Sequence, residues 1–402
     1  MRRDIARTIR RGTGVALAGT LAVAALVVPA APASADATIT ANEQTFYGYY
    51  RLDAIHSSGY TGEDVTIALV DGPINTQIPE LAGARIQSYS PCAVDSQDKS
   101  WDHGTVIAQV ISSPQFGVAP GANLRAYTLS FAGETTGSDC ALGQWGRGYS
   151  DLALLIEDAL NDGVDVITTS SSYPSDYEGM RWALARAIAS KVPVVACVGN
   201  DSTSNSTDWL PAWGGVVGVG AIETNGRPSD YQNWGRPLST AALARPLARS
   251  GVSQERGEWW GTSFASPVVA GSLALSMQRW PRATGNQIMQ GLARTGVGGN
   301  GGEWNQYTGY GALDIYAMLT TNPTSFPDEN PFMDKGTNTV PSRQDVQDYI
   351  DGVVDPRVVM NDNSYEYLGF DERLALSRDH DYPTHLGTSP RYHQKFQSQK
   401  KN

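Results

Sequence analysis

Residues 65–71 read VTIALVD, a nearly continuous run of apolar and β-branched side chains that ends in the carboxylate of Asp71. Such a run is typical of a parallel strand with helices on both faces, because a strand that faces water on one side alternates polar and apolar residues. Four later runs have the same composition: residues 123–129, 165–170, 192–199 and 216–222. Together the five runs predict a buried, mostly parallel sheet.

Two amphipathic stretches between these strands predict crossover helices. In the first, apolar residues recur at helical spacing from Leu152 to Leu160, with Ser150 as the predicted N-cap and Gly163 at the predicted end. The second runs from Met180 to Ile188. The alternation of strand and helix predicts right-handed crossovers and a three-layer α/β fold. In such sheets, functional residues gather where strands end and helices begin.

The N-terminus has the pattern of a secretory signal peptide. Several arginines precede the apolar run of residues 15–28, and the small residues Ala33-Ser34-Ala35 follow it. Because a membrane span needs about 20 apolar residues, export with cleavage after Ala35 is favoured over an anchor. The sequence therefore predicts a secreted, extracellular protein that is not bound to a membrane after cleavage.

Four regions follow from the composition. We assign residues 1–35 to the signal peptide, 36–45 to a short leader, 46–320 to the α/β domain and 321–402 to a polar C-terminal extension. The extension is rich in proline, asparagine and charge and lacks an apolar period, so we expect it to be partly disordered.

Charge and cysteine content narrow the class of partner. The formal net charge of −11 argues against nucleic acid, which requires a basic surface. Cys92 and Cys140 lie in polar segments and are a candidate disulfide pair, whereas Cys197 lies in an apolar run and is expected to be a buried thiol. No cysteine has CxxC spacing and the histidines of the extension match no zinc pattern, so we expect no metal and no cofactor in catalysis.

Three polar residues stand at predicted element boundaries. Asp71 ends the first strand, His103 opens a helix of small residues (DHGTVIAQVI, 102–111), and Ser263 precedes an apolar helix (GTSFASPVVAG, 261–271). Taken singly, each residue has an ordinary structural explanation, such as a helix cap or a turn. Brought together at one end of a sheet, they are the groups that carry out acyl transfer, with serine as nucleophile, histidine as base and aspartate fixing the histidine.

The order Asp, His, Ser and the flanking motifs resemble the subtilisin-like serine peptidases, or subtilases. The resemblance spans residues 50–318 and rests on six segments in order: GYTGEDVTIALVDG, DHGTVIAQVI, GVAPGANLRAY, VVACVGND, GTSFASPVVAG and GYGALDIYAML. It implies a secreted serine endopeptidase acting on proteins or peptides. It also implies that Asp71, His103 and Ser263 form a catalytic triad, and that Asn200 and the backbone N–H of Ser263 form the oxyanion hole.

The resemblance further implies a set of substrate-binding positions: Ser170, Ser171, Ser172, Cys197, Val198 and Gly199. Ser172 stands where the family usually has glycine, and Cys197 and Val198 replace smaller residues, so no preference for the residue before the scissile bond is assigned. The insertion that carries a known calcium loop is absent, and the sequence nominates no other calcium ligands. Structural calcium and the oligomeric state are left open.

The departures from the family pattern suggest one alternative function. The altered substrate strand, and a leader too short for the usual propeptide, are compatible with a weakly active or inactive subtilase scaffold that acts as a binding or maturation factor. A membrane-anchored secretion-system protease is disfavoured, because no second hydrophobic span follows the signal peptide.

Overall fold

The computed structural model describes residues 37–142, 147–148, 150–171, 177–204, 209–243, 245–299, 302–336, 339–351, 366–367 and 384–385. The predicted signal peptide, the candidate substrate residue Ser172 and most of the chain beyond residue 351 lie outside these ranges.

A seven-stranded sheet forms the centre of the molecule. Its strands are β1 (Thr66–Asp71), β2 (Ile86–Tyr89), β3 (Asn123–Thr128), β4 (Val166–Thr169), β5 (Val194–Cys197), β6 (Val217–Ile222) and β7 (Thr240–Leu243). Their order is β7-β6-β5-β4-β1-β3-β2, and every neighbouring pair is parallel. The predicted parallel α/β fold is therefore confirmed, and β2 and β7 add to the five predicted strands.

Nine helices are described. They are α1 (Thr45–Tyr49), α2 (Leu52–Ser57), α3 (Asp98–Ser112), α4 (Leu152–Asn161), α5 (Tyr177–Ala189), α6 (Ala265–Arg279), α7 (Gly285–Thr295), α8 (Ile315–Thr320) and α9 (Arg343–Asp351). The predicted N-cap of α4, Ser150, is wrong by one residue. Asp151 caps the helix, because its backbone is extended and its carboxylate accepts the Ala153 N–H at 2.9 Å.

Four short two-stranded pairs are described in addition to the seven-stranded sheet. Val94–Asp95 pairs with Thr135–Thr136, Ala141–Leu142 with Arg147–Gly148, Leu247–Arg249 with Arg256–Glu258, and Glu366–Tyr367 with Thr384–His385. Single 3₁₀ turns occur at Ala41–Glu43, Pro79–Leu81, Ser138–Cys140, Leu210–Ala212, Thr262–Phe264 and Pro323–Ser325.

Side chains of the central strand alternate between two hydrophobic cores. Ile67 and Leu69 join the core that includes α3 and α6, whereas Ala68 and Val70 join the core that includes α4 and α5. Successive side chains of a strand point to opposite faces, so an apolar strand such as β1 requires cover on both. This accounts for the three layers. Because β1 lies between β3 and β4, two strands that follow it in the chain, its carboxyl end is where residues of several loops meet.

The N-terminal segment Ile39–Gln44 is part of the folded unit. Ile39 is fully buried, and its N–H donates to Glu80 at 3.0 Å. Glu80 in turn forms a buried, bidentate ion pair with Arg249, at 2.7 and 3.0 Å. The Gln44 side chain exchanges two hydrogen bonds with the backbone of Leu247.

The described residues of the extension also pack on the domain. Phe332 is buried, and the buried Lys335 donates to the Pro237 carbonyl at 2.9 Å and to Ser239 Oγ at 2.8 Å. Helix α9 contacts α5, where Arg181 pairs with Asp345. The predicted domain boundaries themselves stay a prediction.

Two further features concern the cysteines and the helices. A disulfide joins Cys92 to Cys140, and Cys197 is a buried thiol outside the disulfide. Of the helices described, none is both long and apolar enough to cross a membrane.

Candidate active site

The central strand ends in a buried carboxylate at the site. β1 ends at Asp71, which is fully buried. Its Oδ1 accepts a hydrogen bond from Nδ1 of His103 at 2.7 Å and a second from the Gly72 N–H at 2.7 Å. A carboxylate held in this way fixes both the position and the tautomer of the imidazole, leaving Nε2 as the basic nitrogen.

Two glycines allow α3 to approach β1 closely. A Cβ added to Gly104 would lie 2.2 Å from the Gly72 carbonyl oxygen, and one added to Gly72 would lie 2.0 Å from the Ser100 carbonyl oxygen. Neither distance is sterically possible. The absence of side chains at these two positions therefore permits the contact that brings His103 to Asp71.

The electrostatic environment of His103 combines opposing influences. Burial lowers the pKa of the imidazole, while the negative charge of Asp71 and the hydrogen bond to it raise that pKa, with a net increase above the usual 6.5. The side chain is 25% exposed, so part of the ring remains accessible to solvent.

Ser263 lies beside this pair, in the 3₁₀ turn that precedes α6. The ring of its neighbour Phe264 is 5.7 Å from the His103 ring. The hydroxyl of Ser263, however, is directed at Cys197, with Oγ and Sγ 3.9 Å apart. In the part of the chain that the structure describes, no hydrogen bond joins Ser263 Oγ to His103. The structure thus places Ser263 near Asp71 and His103, but without a hydrogen bond between the Ser263 hydroxyl and His103.

Asn200 follows β5 and is exposed at the same end of the sheet. Its Oδ1 accepts hydrogen bonds from the Thr262 N–H at 2.8 Å and from Thr262 Oγ1 at 3.0 Å. Because a backbone N–H can only donate, the carboxamide oxygen must face Thr262, and the NH₂ group is left on the other side. A Cβ on Gly261 would lie 3.2 Å from Nδ2, and the φ of 131° at this residue also favours glycine.

Most of the predicted substrate-binding residues surround the same point. Ser170 Oγ donates to the Ser263 carbonyl at 2.8 Å, and Cys197 Sγ donates to the Ser170 carbonyl at 3.3 Å. The N–H of Ser171 donates back to Thr169 at 3.1 Å. These contacts connect the ends of β4 and β5 to the turn that carries Ser263.

Val198 and Gly199 are buried, and the Gly199 N–H donates to Thr262 Oγ1 at 3.1 Å. Thr262 therefore links this segment to Asn200, a contact that sequence reasoning missed although the residue lies within the GTSFASP motif. Asn233, whose side chain bonds to the loop that carries Asn200, was missed as well and has no sequence signal of its own. Within the described residues, no group of three or more His, Cys, Asp or Glu side chains is arranged to hold a metal ion.

Comparisons with known proteins identify the family of this chain. The model of the subtilase family matches residues 62–311, more than half of the chain. Subtilisin E of Bacillus subtilis (strain 168) is 30% identical over 276 residues, which are 66% of this chain and 68% of the relative. Subtilisin BL of Lederbergia lenta is 31% identical over 248 residues, or 60% and 87% of the two chains.

Solved structures have the same fold. The serine protease MycP1, an essential component of the type VII (ESX-1) secretion system, is 26% identical with a TM-score of 0.57, covering 71% of this chain and 90% of its own. Fervidolysin from Fervidobacterium pennivorans, a keratinolytic enzyme, is 24% identical with a TM-score of 0.54, covering 68% and 46%. The family model, the subtilisin relatives and the shared parallel sheet lead to one conclusion: this chain belongs to the subtilase family and is a serine endopeptidase.

Proposed function

We propose that the chain is a secreted endopeptidase that cleaves peptide bonds of extracellular proteins with a triad of Asp71, His103 and Ser263. The observation that carries the proposal is the 2.7 Å hydrogen bond between His103 Nδ1 and the fully buried Asp71, formed beside the turn of Ser263. A buried carboxylate on an imidazole next to a serine is the arrangement that activates a hydroxyl nucleophile.

In the proposed reaction, Ser263 Oγ attacks the scissile carbonyl and transfers its proton to His103 Nε2. Asp71 holds Nδ1–H and stabilises the imidazolium that forms. His103 then gives the proton to the leaving amine as the acyl-enzyme forms. A water molecule, deprotonated by His103, releases the acyl group and restores Ser263.

The negative charge that develops on the substrate oxygen would be met by two donors. Asn200 offers Nδ2, which the contacts of Oδ1 with Thr262 leave unoccupied within the described residues. Ser263 offers its backbone N–H in the turn that leads into α6, where unpaired amides and the helix dipole favour an anion.

The substrate chain would lie along Ser170–Ser172 on one side and Cys197–Gly199 on the other, without an assigned side-chain preference. Two features support secretion: the signal-peptide pattern of residues 1–35 and the Cys92–Cys140 disulfide, which is stable in an oxidising compartment. No metal or cofactor takes part in the proposed mechanism.

The test is labelling of the purified mature protein with a fluorophosphonate probe, followed by intact-mass measurement. We expect one adduct on the native protein and none on Ser263→Ala or His103→Ala. An adduct that persists in Ser263→Ala, or no adduct on protein shown to be folded, would refute the proposed triad.

A second candidate function is a weakly active subtilase scaffold that binds other proteins. The observation that favours it is the hydrogen bond of the Ser263 hydroxyl with Cys197 instead of His103. In that case the folded protein would react with the probe at a rate close to that of free serine, and Cys197→Ala, which releases the Ser263 hydroxyl, would accelerate the reaction.

A further inference from the structure

The loop that carries Asn200 requires support from elsewhere in the molecule. Residues 198–203, here called the oxyanion loop, are exposed from Asn200 onward. Two of its residues have left-handed backbone conformations, Gly199 with a φ of 96° and the non-glycine Ser202 with a φ of 52°. Exposed segments of this kind open readily unless specific contacts hold them.

Asn233 supplies those contacts from a neighbouring segment. It is only 3% exposed. Its Oδ1 accepts from the N–H groups of Asp201 at 3.0 Å and Thr203 at 3.1 Å, and from Thr203 Oγ1 at 3.2 Å. Its Nδ2 donates to the Val198 carbonyl at 2.9 Å and to Asp201 Oδ2 at 3.3 Å, and its backbone N–H donates to the Gly199 carbonyl at 3.0 Å.

These six bonds reach the oxyanion loop on both sides of Asn200. Val198 and Gly199 precede it, and Asp201 and Thr203 follow it. Thr262 orients the carboxamide of Asn200, but its contacts with the loop are confined to Gly199 and Asn200. Beyond Asn200 the loop backbone is held by the Asn233 side chain and by two backbone hydrogen bonds, from the Ser202 N–H to the Tyr231 carbonyl and from the Trp234 N–H to the Thr203 carbonyl, both at 3.0 Å. Among these groups, Asn233 also bonds to Val198 and Gly199 on the other side of Asn200.

We propose that Asn233 is a positioning residue for the oxyanion hole. It does not touch substrate; it holds the oxyanion loop so that Asn200 Nδ2 faces the developing charge. This inference rests on the proposed function of Asn200. Oxyanion stabilisation requires donors fixed before the reaction, and a displacement of about 1 Å can cost as much as 100-fold in rate.

The first experiment compares Asn233→Ala with Asn233→Asp on a peptide substrate. The aspartate keeps the size and the acceptor but places an oxygen against the Val198 carbonyl and the Asp201 carboxylate. We expect kcat to fall about 10- to 100-fold in both variants, with KM changed less than about twofold. The affinity for a peptide boronic acid, whose adduct carries a tetrahedral centre with an anionic oxygen, should fall in parallel.

The second experiment is a double-mutant cycle with Asn200→Ala. If Asn233 acts through Asn200, Asn233→Ala should change kcat less than about twofold in the Asn200→Ala background, because coupled residues are not additive. Asn330→Ala is the matched control. Asn330 is also buried, 5% exposed, and its side chain bonds to Gly215 and Phe332 rather than to the oxyanion loop. It should lower thermal stability and leave kcat unchanged.

The outcomes distinguish the oxyanion role of Asn200 from the positioning role of Asn233. If Asn200→Ala retains full kcat, the oxyanion role of Asn200 is wrong and the role of Asn233 falls with it. If Asn200→Ala is slow but the folded Asn233 variants keep normal kcat, or their effect is additive with Asn200→Ala, only the positioning role is wrong. An equal loss of kcat in Asn330→Ala would likewise reduce Asn233 to a general structural residue.

Discussion

His103 is influenced by burial, which lowers its pKa, and by Asp71, which raises that pKa to a net value above the usual range. Because the neutral imidazole is the base, kcat/KM should rise with pH through this raised pKa, with a midpoint above about 6.5. In Asp71→Asn only the effect of burial remains, so the midpoint of the residual activity should move to lower pH.

A pH profile of kcat/KM for the native enzyme and Asp71→Asn checks this prediction. Asp102→Asn is the control, because the Asp102 carboxylate binds Ser250 and Val252 rather than the imidazole. An unchanged midpoint in Asp71→Asn, or an equal shift in Asp102→Asn, would contradict the assigned cause.

Thr262 orients Asn200 with both its N–H and its hydroxyl. Thr262→Val keeps the shape and the N–H but removes the hydroxyl, which also accepts the Gly199 N–H. We expect kcat to fall by about tenfold, since one hydrogen bond of about 1 kcal/mol net is lost and another group is left unpaired. Thr262→Ser keeps the hydroxyl and should retain most of the native rate; steady-state kinetics of both variants decide the point.

Removal of the carboxamide itself is a stronger test of the site. Asn200→Ala should lower kcat about 100- to 1000-fold with little change in KM, the range established for loss of such a donor in subtilisin, a relative of this chain. A kcat within threefold of native, on the order of 0.6 kcal/mol, would remove Asn200 from the mechanism.

At the residue scale, the sequence indicated which side chains to examine, but not their contacts. Asp71, His103 and Ser263 stand in short motifs whose flanking residues are local in the chain. The hydrogen bonds of Asn233 and the contact of Ser263 with Cys197 join loops that are distant in sequence. No periodicity or spacing encodes such contacts, because they depend on how the loops pack. The catalytic roles of all these residues remain predictions.

At the element scale, the approach of α3 to β1 depends on Gly104. A methyl group at this position would meet the Gly72 carbonyl at 2.2 Å, so Gly104→Ala should displace α3 and break the bond between Asp71 and His103. We expect kcat/KM to fall at least about 100-fold. Gly48→Ala in α1 is the control, because a Cβ there has no neighbour within 4 Å.

Circular dichroism and active-site labelling would separate the two possible effects of Gly104→Ala. The prediction requires a folded protein with a slowed reaction. A folded variant with native kcat/KM would show that α3 can shift without moving His103.

Strands with unbroken apolar runs were predictable from sequence, and short or polar ones were not. β1 and β6 are buried along almost their whole length and match the predicted runs. β2, with the sequence IQSY, is an edge strand with exposed side chains and so has no apolar pattern. β7, with the sequence TAAL, consists of small residues that fit a strand or a turn equally well, so the sequence did not predict it. The edge position of β2 and the small residues of β7 explain why a hydrophobic pattern does not identify these two strands.

At the scale of the whole molecule, a buried ion pair ties the N-terminal segment to the domain. Glu80 and Arg249 are 0% and 3% exposed, and the Ile39 N–H donates to the same carboxylate. Burial raises the pKa of Glu80, but Arg249 and the backbone donors lower it to a net value below the usual range. The carboxylate therefore stabilises the fold at neutral pH, and this contribution is lost as the pH falls through its depressed pKa.

Glu80→Ala should lower the free energy of unfolding by about 3–5 kcal/mol, because the charge of Arg249 stays buried without its carboxylate. Glu63→Ala, which removes the exposed partner of Arg85 outside this segment, should have little effect. Denaturant unfolding at neutral pH measures both variants. Equal stabilities of Glu80→Ala and the native protein would mean that the segment Ile39–Gln44 is not held by this pair.

Cys197 gives the molecule an internal reporter. Of the three cysteines in the chain it is the one outside the disulfide, and it lies buried against the Ser263 hydroxyl. A soluble thiol reagent in excess can modify it only when the residues that cover it move apart, so the labelling rate counts those openings in the unmodified enzyme. The same measurement with an inhibitor bound would give the free energy by which inhibitor binding suppresses these openings, without any engineered label.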